Sequence, residues 1–310
     1  MSQAPCPTYG LGMTQDQITQ LIQSRMHEDG LLETGVEGVQ LFRATQAMPC
    51  VPAVYEPSVI AITNGCKEAV LDGARYAYDS SQYMLCPMSM PVQAGTPNAS
   101  AENPLNGVYI SLNPRVMRAL ALEMENASGP ASLPDASFHS QAIKLSRWDA
   151  GFSDALYRLL QLGGKEPDTT VLGDARLREL YFAILQGEAG PFARHAFGAG
   201  HTIARSIAHV SSNLHTPVSI DELAAHAGMS RAVFHRKFKQ ATSMSPIQFV
   251  KSMRLNNAAT KIAEGMTVSQ AALDVGYISA SQFSREFKRF YGQSPRQWSD
   301  AQKASFRAAL

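Results

Sequence analysis

Apolar residues Ile18, Leu21, Ile22 and Met26 recur at helical spacing behind Thr14 and Gln17, which predicts a helix over residues 14–27 that ends at or before Gly30. The glycine-punctuated stretch 30–38 reads as a turn, and the Pro- and Gly-marked residues 1–13 as loose chain. The period then shortens. Runs at 39–43, 58–63, 68–71, 76–78, 82–85, 91–93 and 107–112 are β-prone, with Asn64-Gly65, Asp72-Gly73, Asp79-Ser80-Ser81 and prolines between them. Many short strands at close spacing predict a small antiparallel barrel or sandwich. Helical spacing resumes over 115–125, 147–162 and 174–186, the last with Leu177, Leu180, Tyr181, Ile184 and Leu185 on one broad stripe. That stripe fits packing against the strands, or a helix-to-helix contact between two copies of the chain. Residues 128–140 and Gly163-Gly164-Lys165 read as loops, and the glycine-rich stretch 187–200 as a linker. The expected division is therefore 1–190, a linker at 191–200, and 201–310.

The last third is helical and repeats itself. Phe234-His-Arg-Lys-Phe238-Lys239 returns as Phe283-Ser-Arg-Glu-Phe287-Lys288, and Ser245-Pro246 as Ser294-Pro295. Ile220, Ala224 and Gly228 are matched by Val268, Ala272 and Gly276, with one extra residue in the second copy between Gly276 and Ser279. Each copy reads as a helix-turn-helix. Ser219 with Glu222, and Thr267 with Gln270, have capping-box spacing. Gly228 and Gly276 stand where the chain leaves the first helix through a left-handed conformation. Ser230 and Ser279 cap the second helix, whose buried side carries Phe234/Phe238 or Phe283/Phe287. The outer face is left with Arg231, Ala232, His235, Arg236 and Lys239 in one copy, and Ala280, Ser281, Ser284, Arg285 and Lys288 in the other. Small and basic residues on a capped helix suit the major groove, where bases and phosphates meet the same face. The plainer reading of the same residues is a helical bundle with a solvated basic face. Between the copies, Ser245-Pro246-Ile-Gln248 opens a helix to about residue 264, spanning ~28 Å at ~1.5 Å per residue. Adjacent major-groove segments lie ~34 Å apart, so either one chain reaches both with slight DNA bending or one unit sits mainly on phosphate. Lys251, Arg254 and Lys261 on this helix read as phosphate contacts or as a solvated face.

Charge sharpens this division. The chain of 310 residues has a net charge of +1. Residues 1–200 hold 13 Lys and Arg against 20 Asp and Glu, a net of −7, and residues 201–310 hold 14 against 6, a net of +8. Only the C-terminal part has the footprint of a polyanion binder.

The C-terminal motifs resemble the AraC/XylS-type transcription regulators over residues 220–300: Ala224-x3-Gly228, Ser230-x3-Phe234-x3-Phe238-Lys239, Ser245-Pro246, Arg254-x3-Ala258, Ala272-x3-Gly276-Tyr277 and Phe283-Ser-Arg285-x-Phe287-Lys288. The resemblance implies two helix-turn-helix units on one connecting helix, with base contact from Ala232, His235 and Arg236 in the first and Ser281, Ser284 and Arg285 in the second. Ala232 offers only apolar contact, and the two serines of the second unit favour affinity over discrimination. Glu56-Pro57-Ser58, Asn64-Gly65-Cys66-Lys67, Asp72-Gly73, Tyr76-Ala-Tyr78-Asp79, Tyr83 and Met90-Pro91-Val92 resemble, more loosely, the cupin-type N-terminal domain of one branch of that family. The implied fold is α+β: a cupin-like effector-sensing barrel with flanking helices, then an all-α double helix-turn-helix. The partners of this reading are double-stranded promoter DNA, a small-molecule or electrophile effector, RNA polymerase and a second copy of the chain. An activator in the cytoplasm, associated with the nucleoid, is expected.

Enzyme chemistry finds little support. No histidine lies between His27 and His139, so the strands lack the imidazole ligands of metal-dependent cupins, and neither a metal nor a cofactor is expected. HExxH, GxGxxG, GxxxxGK[ST] and GxSxG are absent. No apolar run approaches a membrane span, and no signal-peptide pattern opens the chain. Cys6, Cys50, Cys66 and Cys86 form no CxxC pair. Cys50, Cys66 and Cys86 read as small core residues or as effector-sensing thiols, with Cys66 favoured because the Lys67 ammonium beside it would stabilise a thiolate. The remaining alternative is a DNA-targeted enzyme such as a thiol-based repair alkyltransferase.

Overall fold

The computed structural model describes residues 11–128, 142–198 and 202–300. Helix α1 (Leu11–Arg25) leads into strands β1 (Gly30–Glu33), β2 (Val39–Ala44), β3 (Met48–Tyr55), β4 (Ser58–Asn64), β5 (Cys66–Leu71), β6 (Ala74–Asp79), β7 (Gln82–Cys86), β8 (Met90–Thr96) and β9 (Leu105–Ser111). After α2 (Pro114–Ser128) come β10 (Lys144–Arg147), α3 (Ala150–Leu160), α4 (Glu166–Gln186) and α5 (Gly190–Phe197). The strands form two antiparallel sheets, ordered β1-β2-β9-β4-β7-β10 and β3-β8-β5-β6. The expected α+β class, with a β-rich part followed by a helical part, is what forms.

The central strand β4 is buried over its first six residues because the six-stranded sheet is covered on both faces. Val59 and Ala61 belong with Tyr83, Leu85, Val108 and Ile110 to a core shared with α1, α3, α4 and α5. Ile60 and Ile62 belong with Met84, Cys86, Tyr55, Tyr78 and Met90 to the core between the sheets. The Tyr181 hydroxyl ties α4 to β9 by donating to the Ser111 carbonyl at 2.7 Å. The two-residue Asp72-Gly73 loop closes β5 onto β6 with both residues at positive φ, the geometry a tight hairpin needs.

Several elements depart from the sequence reading. Residues 30–33, expected in a turn, form edge strand β1, whose four residues are all exposed and therefore leave no burial pattern. Strand β3 contains Pro49 and Pro52, which interrupt a strand signal, yet it lies at a sheet edge where a missing N–H is tolerated. The four-residue β10 pairs with β7. Helix α4 starts eight residues before the expected 174 because Glu166-Pro167-Asp168 opens it with a proline in the first turn. Most of the linker expected at 191–200 is helix α5, whose Phe192, Ala193, Ala196 and Phe197 are buried in the core under the six-stranded sheet. The stripe on α4 is buried in that same core, so packing against the strands accounts for it. The loop expected at 128–140 lies almost wholly outside the described residues, as do His139, His201 and Cys6.

The helical part comprises α6 (Thr202–Ser212), α7 (Ile220–His226), α8 (Arg231–Thr242), α9 (Pro246–Ala263), α10 (Val268–Asp274) and α11 (Ala280–Tyr291). Helix α9 lies against β3 and β8. Its Asn256, 3% exposed, donates from Nδ2 to the carbonyls of Ala53 at 2.7 Å and Val92 at 2.9 Å. Ala53 and Val92 are directly paired in the β3–β8 ladder. The Tyr291 hydroxyl of α11 donates to Asn256 Oδ1. Val51 of β3 packs against the core of the second helix-turn-helix. No helix among the described residues is long and apolar enough to cross a membrane.

Candidate nucleic-acid interface

Both helix-turn-helix units are built by the same local devices. Ser219 and Ser230 accept from the backbone N–H of Glu222 at 3.3 Å and Val233 at 3.4 Å, capping α7 and α8. Thr267 and Ser279 do the same for α10 and α11, accepting from Gln270 and Gln282, each at 3.3 Å. The turn leaves α7 through Gly228 at φ +65° and α10 through Gly276 at φ +86°. In both, a backbone bond of 2.9 Å closes the turn, from Met229 N–H to the Ala224 carbonyl and from Tyr277 N–H to that of Ala272. Because these bonds are equivalent, the extra residue of the second copy is Ile278, which stands 97% exposed just before the α11 cap. Phe234 and Phe238 are fully buried with ring centroids 5.5 Å apart, and Phe283 and Phe287 repeat this at 5.4 Å. The connecting helix opens with the full capping box of Ser245 and Gln248 and runs 18 residues.

With the phenylalanines inward, the outer faces fall where the repeat places them. Ala232, His235, Arg236 and Lys239 are exposed on α8, and Ser281, Arg285 and Lys288 on α11. Ser284 is only half-exposed. Arg231 is exposed but bonds both oxygens of Asp221 at 3.2 and 3.0 Å, so it ties α8 to α7 instead of standing free. Lys237 and Arg289, which lie outside the repeated outer-face positions, are further exposed cations on α8 and α11.

The three cations of the connecting helix are engaged within the protein, which corrects their reading as phosphate contacts or a solvated face. Arg254 donates from Nε to the Leu214 carbonyl at 3.0 Å and from its terminal nitrogen to that of Thr216 at 2.8 Å. Lys251 pairs with Glu286 at 3.0 Å and Lys261 with Asp274 at 2.6 Å. Burial acts to raise the Glu286 carboxyl, but bonds from Lys251, Gln282 and Tyr277 outweigh it and hold the group below its usual range. The Leu214–His215 backbone also explains why position 276 is glycine. A Cβ there would lie 2.7 Å from the Leu214 carbonyl oxygen and 2.9 Å from that of His215.

Among the described residues, Cys50, Cys66 and Cys86 do not form a reactive set. Burial pushes the fully enclosed Cys86 thiol up to about 12, and its Sγ donates to the Met88 carbonyl at 3.1 Å. Burial and Glu68 raise Cys50, whose Sγ donates to Glu68 Oε2 at 3.8 Å. Burial, Asp79 and Glu68 raise Cys66 as well, so the expected thiolate stabilisation by Lys67 is not found. Lys67 sits over the Phe42 ring instead, 5.9 Å from its centre, and its own ammonium is lowered by burial. Neighbours in sequence on a strand project to opposite faces, which is why adjacency misled. Among the described residues no group of three or more His, Cys, Asp or Glu side chains could hold a metal ion.

Comparison with known proteins places this arrangement. A family model described as the AraC-type transcriptional regulator N-terminus matches residues 35–192, just over half of the chain, and a helix-turn-helix domain model matches 223–301. The HTH-type transcriptional regulator ArgR of Pseudomonas aeruginosa is 28% identical over 106 residues, 34% of this chain and 32% of that protein. The HTH-type transcriptional regulator MtrA of Neisseria gonorrhoeae is 40% identical over 81 residues, 26% of this chain and 27% of that protein. The match thus spans a third or less of the length of these relatives. Among solved structures, ToxT from Vibrio cholerae bound to (E)-4-(8-methylnaphthalen-1-yl)but-3-enoic acid aligns with TM-score 0.55 at 12% identity, covering 85% of this chain and 98% of that one. Wild-type ToxT bound to an unsaturated fatty acid aligns with TM-score 0.52 at 13% identity, covering 88% and 97%. At such identity the likeness is one of fold, here of both parts in one chain. With its β-rich part matched over more than half of the sequence and its duplicated helix-turn-helix matched separately, the chain belongs to the AraC-type transcriptional regulators.

Proposed function

We propose that the protein is a sequence-specific DNA-binding transcription regulator, acting as an activator, whose N-terminal β-rich part responds to a small molecule. The observation that carries this is the pair of capped helices α8 and α11, each presenting an arginine at the same position of an exposed, small-residue face, Arg236 and Arg285. These are the base readers, with His235 and Ser281 beside them and Ala232 in apolar contact. Lys239 and Lys288 meet phosphate. Ser284, half-exposed, has a lesser share, and Arg231 must release Asp221 to reach DNA.

The effector reading draws support from ToxT, an AraC-like fold described in complex with an unsaturated fatty acid and with a substituted butenoic acid. In this chain the core between the sheets encloses the Tyr55 and Tyr78 hydroxyls, which lie against each other away from water, and a desolvated Lys67 is paired with Tyr78 across the β5–β6 ladder. A small polar or anionic effector would satisfy such groups, whereas the three thiols, all raised, make an electrophile the weaker choice. Promoter DNA, RNA polymerase and a second copy of the chain are the partners of this reading.

Genome-wide footprinting of the full chain, followed by titration of the strongest site, tests it. A reproducible site upstream of a few genes is expected, with Arg236→Ala losing ~1–3 kcal/mol on that site and little on random DNA. Equal losses on both would remove Arg236 as a base reader, and binding without any preferred site would remove the regulator.

A further inference from the structure

The turn of the second unit has one residue more than that of the first, and the addition changes what an apolar side chain does there. In the first unit Met229 directly precedes the Ser230 cap, is half-buried, and packs against the core that holds Phe234, four positions beyond the cap. An apolar residue before the cap packed with one four positions beyond it is a staple that fixes how the chain enters the helix. In the second unit Ile278 precedes the Ser279 cap, but it is not the staple. Tyr277 has taken that place: it is buried, its ring lies 5.2 Å from that of Phe283, and its hydroxyl donates to Glu286 at 3.0 Å. Ile278 is thereby turned outward, 97% exposed, the most exposed large apolar side chain among the described residues.

Two features fix where this side chain stands. It comes directly before the cap of α11, the end at which the side chains of a reading helix meet base edges. With Ile220, Ile247 and Gln282 it also lines a groove of about 450 Å³ between the two units, so it stands on the flank of α11 turned toward the first unit. The backbone that carries it is held. Tyr277 N–H bonds the Ala272 carbonyl at 2.9 Å, and Gly276 is pressed against the Leu214 and His215 carbonyls. A β-branched side chain on a fixed turn has little freedom left to lose on making a contact.

The major groove offers an apolar side chain one distinctive target, the C5 methyl group of thymine. We propose that Ile278 reads a thymine methyl at the inner edge of the second unit's half-site, between the bases met by Arg285 and those met by Arg236. This rests on the DNA-binding reading above. The contact gives the second unit a sequence preference that Ser281 and Ser284 do not supply. It neutralises no phosphate, so it adds discrimination without adding to the salt dependence of binding.

The test replaces each thymine of the strongest footprinted site, on either strand, by uracil, which lacks only that methyl group. Each substituted duplex is titrated with the full chain as wild type, Ile278→Ala and Ile278→Val. At one thymine of the inner edge, uracil should weaken wild-type binding about fourfold, the factor that corresponds to one buried methyl group. Ile278→Ala should bind the unmodified site about as weakly as wild type binds that uracil site, and should not respond to the substitution. Ile278→Val, which keeps the branch, should retain most of the discrimination. The melting temperature and salt slope of Ile278→Ala should equal those of wild type, because the side chain it shortens is solvent-exposed. Uracil substitutions that affect wild type and Ile278→Ala alike, or affect neither, overturn the inference and leave the DNA-binding reading standing. An Ile278-dependent thymine outside the interval between the Arg236 and Arg285 contacts overturns the placement. Wild type that binds no preferred site overturns the DNA-binding reading, and this inference with it.

Discussion

Arg236 and Arg231 stand five residues apart on the same helix and differ in what holds them. Arg231 bonds Asp221, an exposed pair of the kind worth little in water, so Asp221→Asn should free it for phosphate and tighten binding to all sequences alike. Filter binding on specific and random DNA checks this, and a gain confined to the specific site would contradict it. Glu286 gives a pH signature. Its carboxyl lies below the ordinary 4.5 in the folded chain, so folding favours the ionised form. That contribution is complete above the unfolded value and fades as pH falls through the folded one. Melting curves across the acid range should therefore drop less steeply for Glu286→Gln than for wild type. At this scale the duplication made exposure readable at Ala232, Arg236, Ser281 and Arg285, but not the half-burial of Ser284 or the hold of Asp221 on Arg231. It was silent on Lys251, Arg254 and Lys261, whose partners Glu286, Leu214, Thr216 and Asp274 lie 13 or more residues away and meet them only in the fold.

The two reading units share one design but differ in how tightly they are enclosed. Gly228 and Gly276 are both left-handed, so alanine at either costs about 1–2 kcal/mol for backbone strain. A Cβ at 228 meets nothing within 4 Å, whereas one at 276 strikes the Leu214 and His215 carbonyls. Gly276→Ala should therefore lower the melting temperature clearly more than Gly228→Ala, and equal shifts would refute the close approach. Ser230→Ala and Ser279→Ala should each cost about 1 kcal/mol by loss of a helix cap, read by urea denaturation. Elements with strong internal signals were legible: the caps, the connecting helix and the buried strands β4, β7 and β9. Those that depend on neighbours were not. Strand β1 has no buried face, β3 carries two prolines that only an edge permits, and α5 follows glycines that read as linker while its own Phe192 and Phe197 were core.

Across the whole molecule, charge and connectivity set different limits. With the positive charge concentrated after residue 200, operator affinity should fall steeply with salt, the logarithmic slope being about −0.9 per phosphate neutralised. Lys239→Ala should lower that slope by about one, and Arg254→Ala, whose guanidinium is held by two backbone carbonyls, should leave it unchanged while reducing stability. The hold that Arg254 keeps on the 214–216 backbone has an implication for redesign. It pins the first reading unit to the connecting helix, and Gly276 presses the second unit against the same backbone. The two units are therefore not interchangeable cassettes. A chimera spliced within α9 would carry one half of a joint into a foreign partner, whereas exchanging only the outward side chains of α8 and α11 would retarget the protein and leave its scaffold whole.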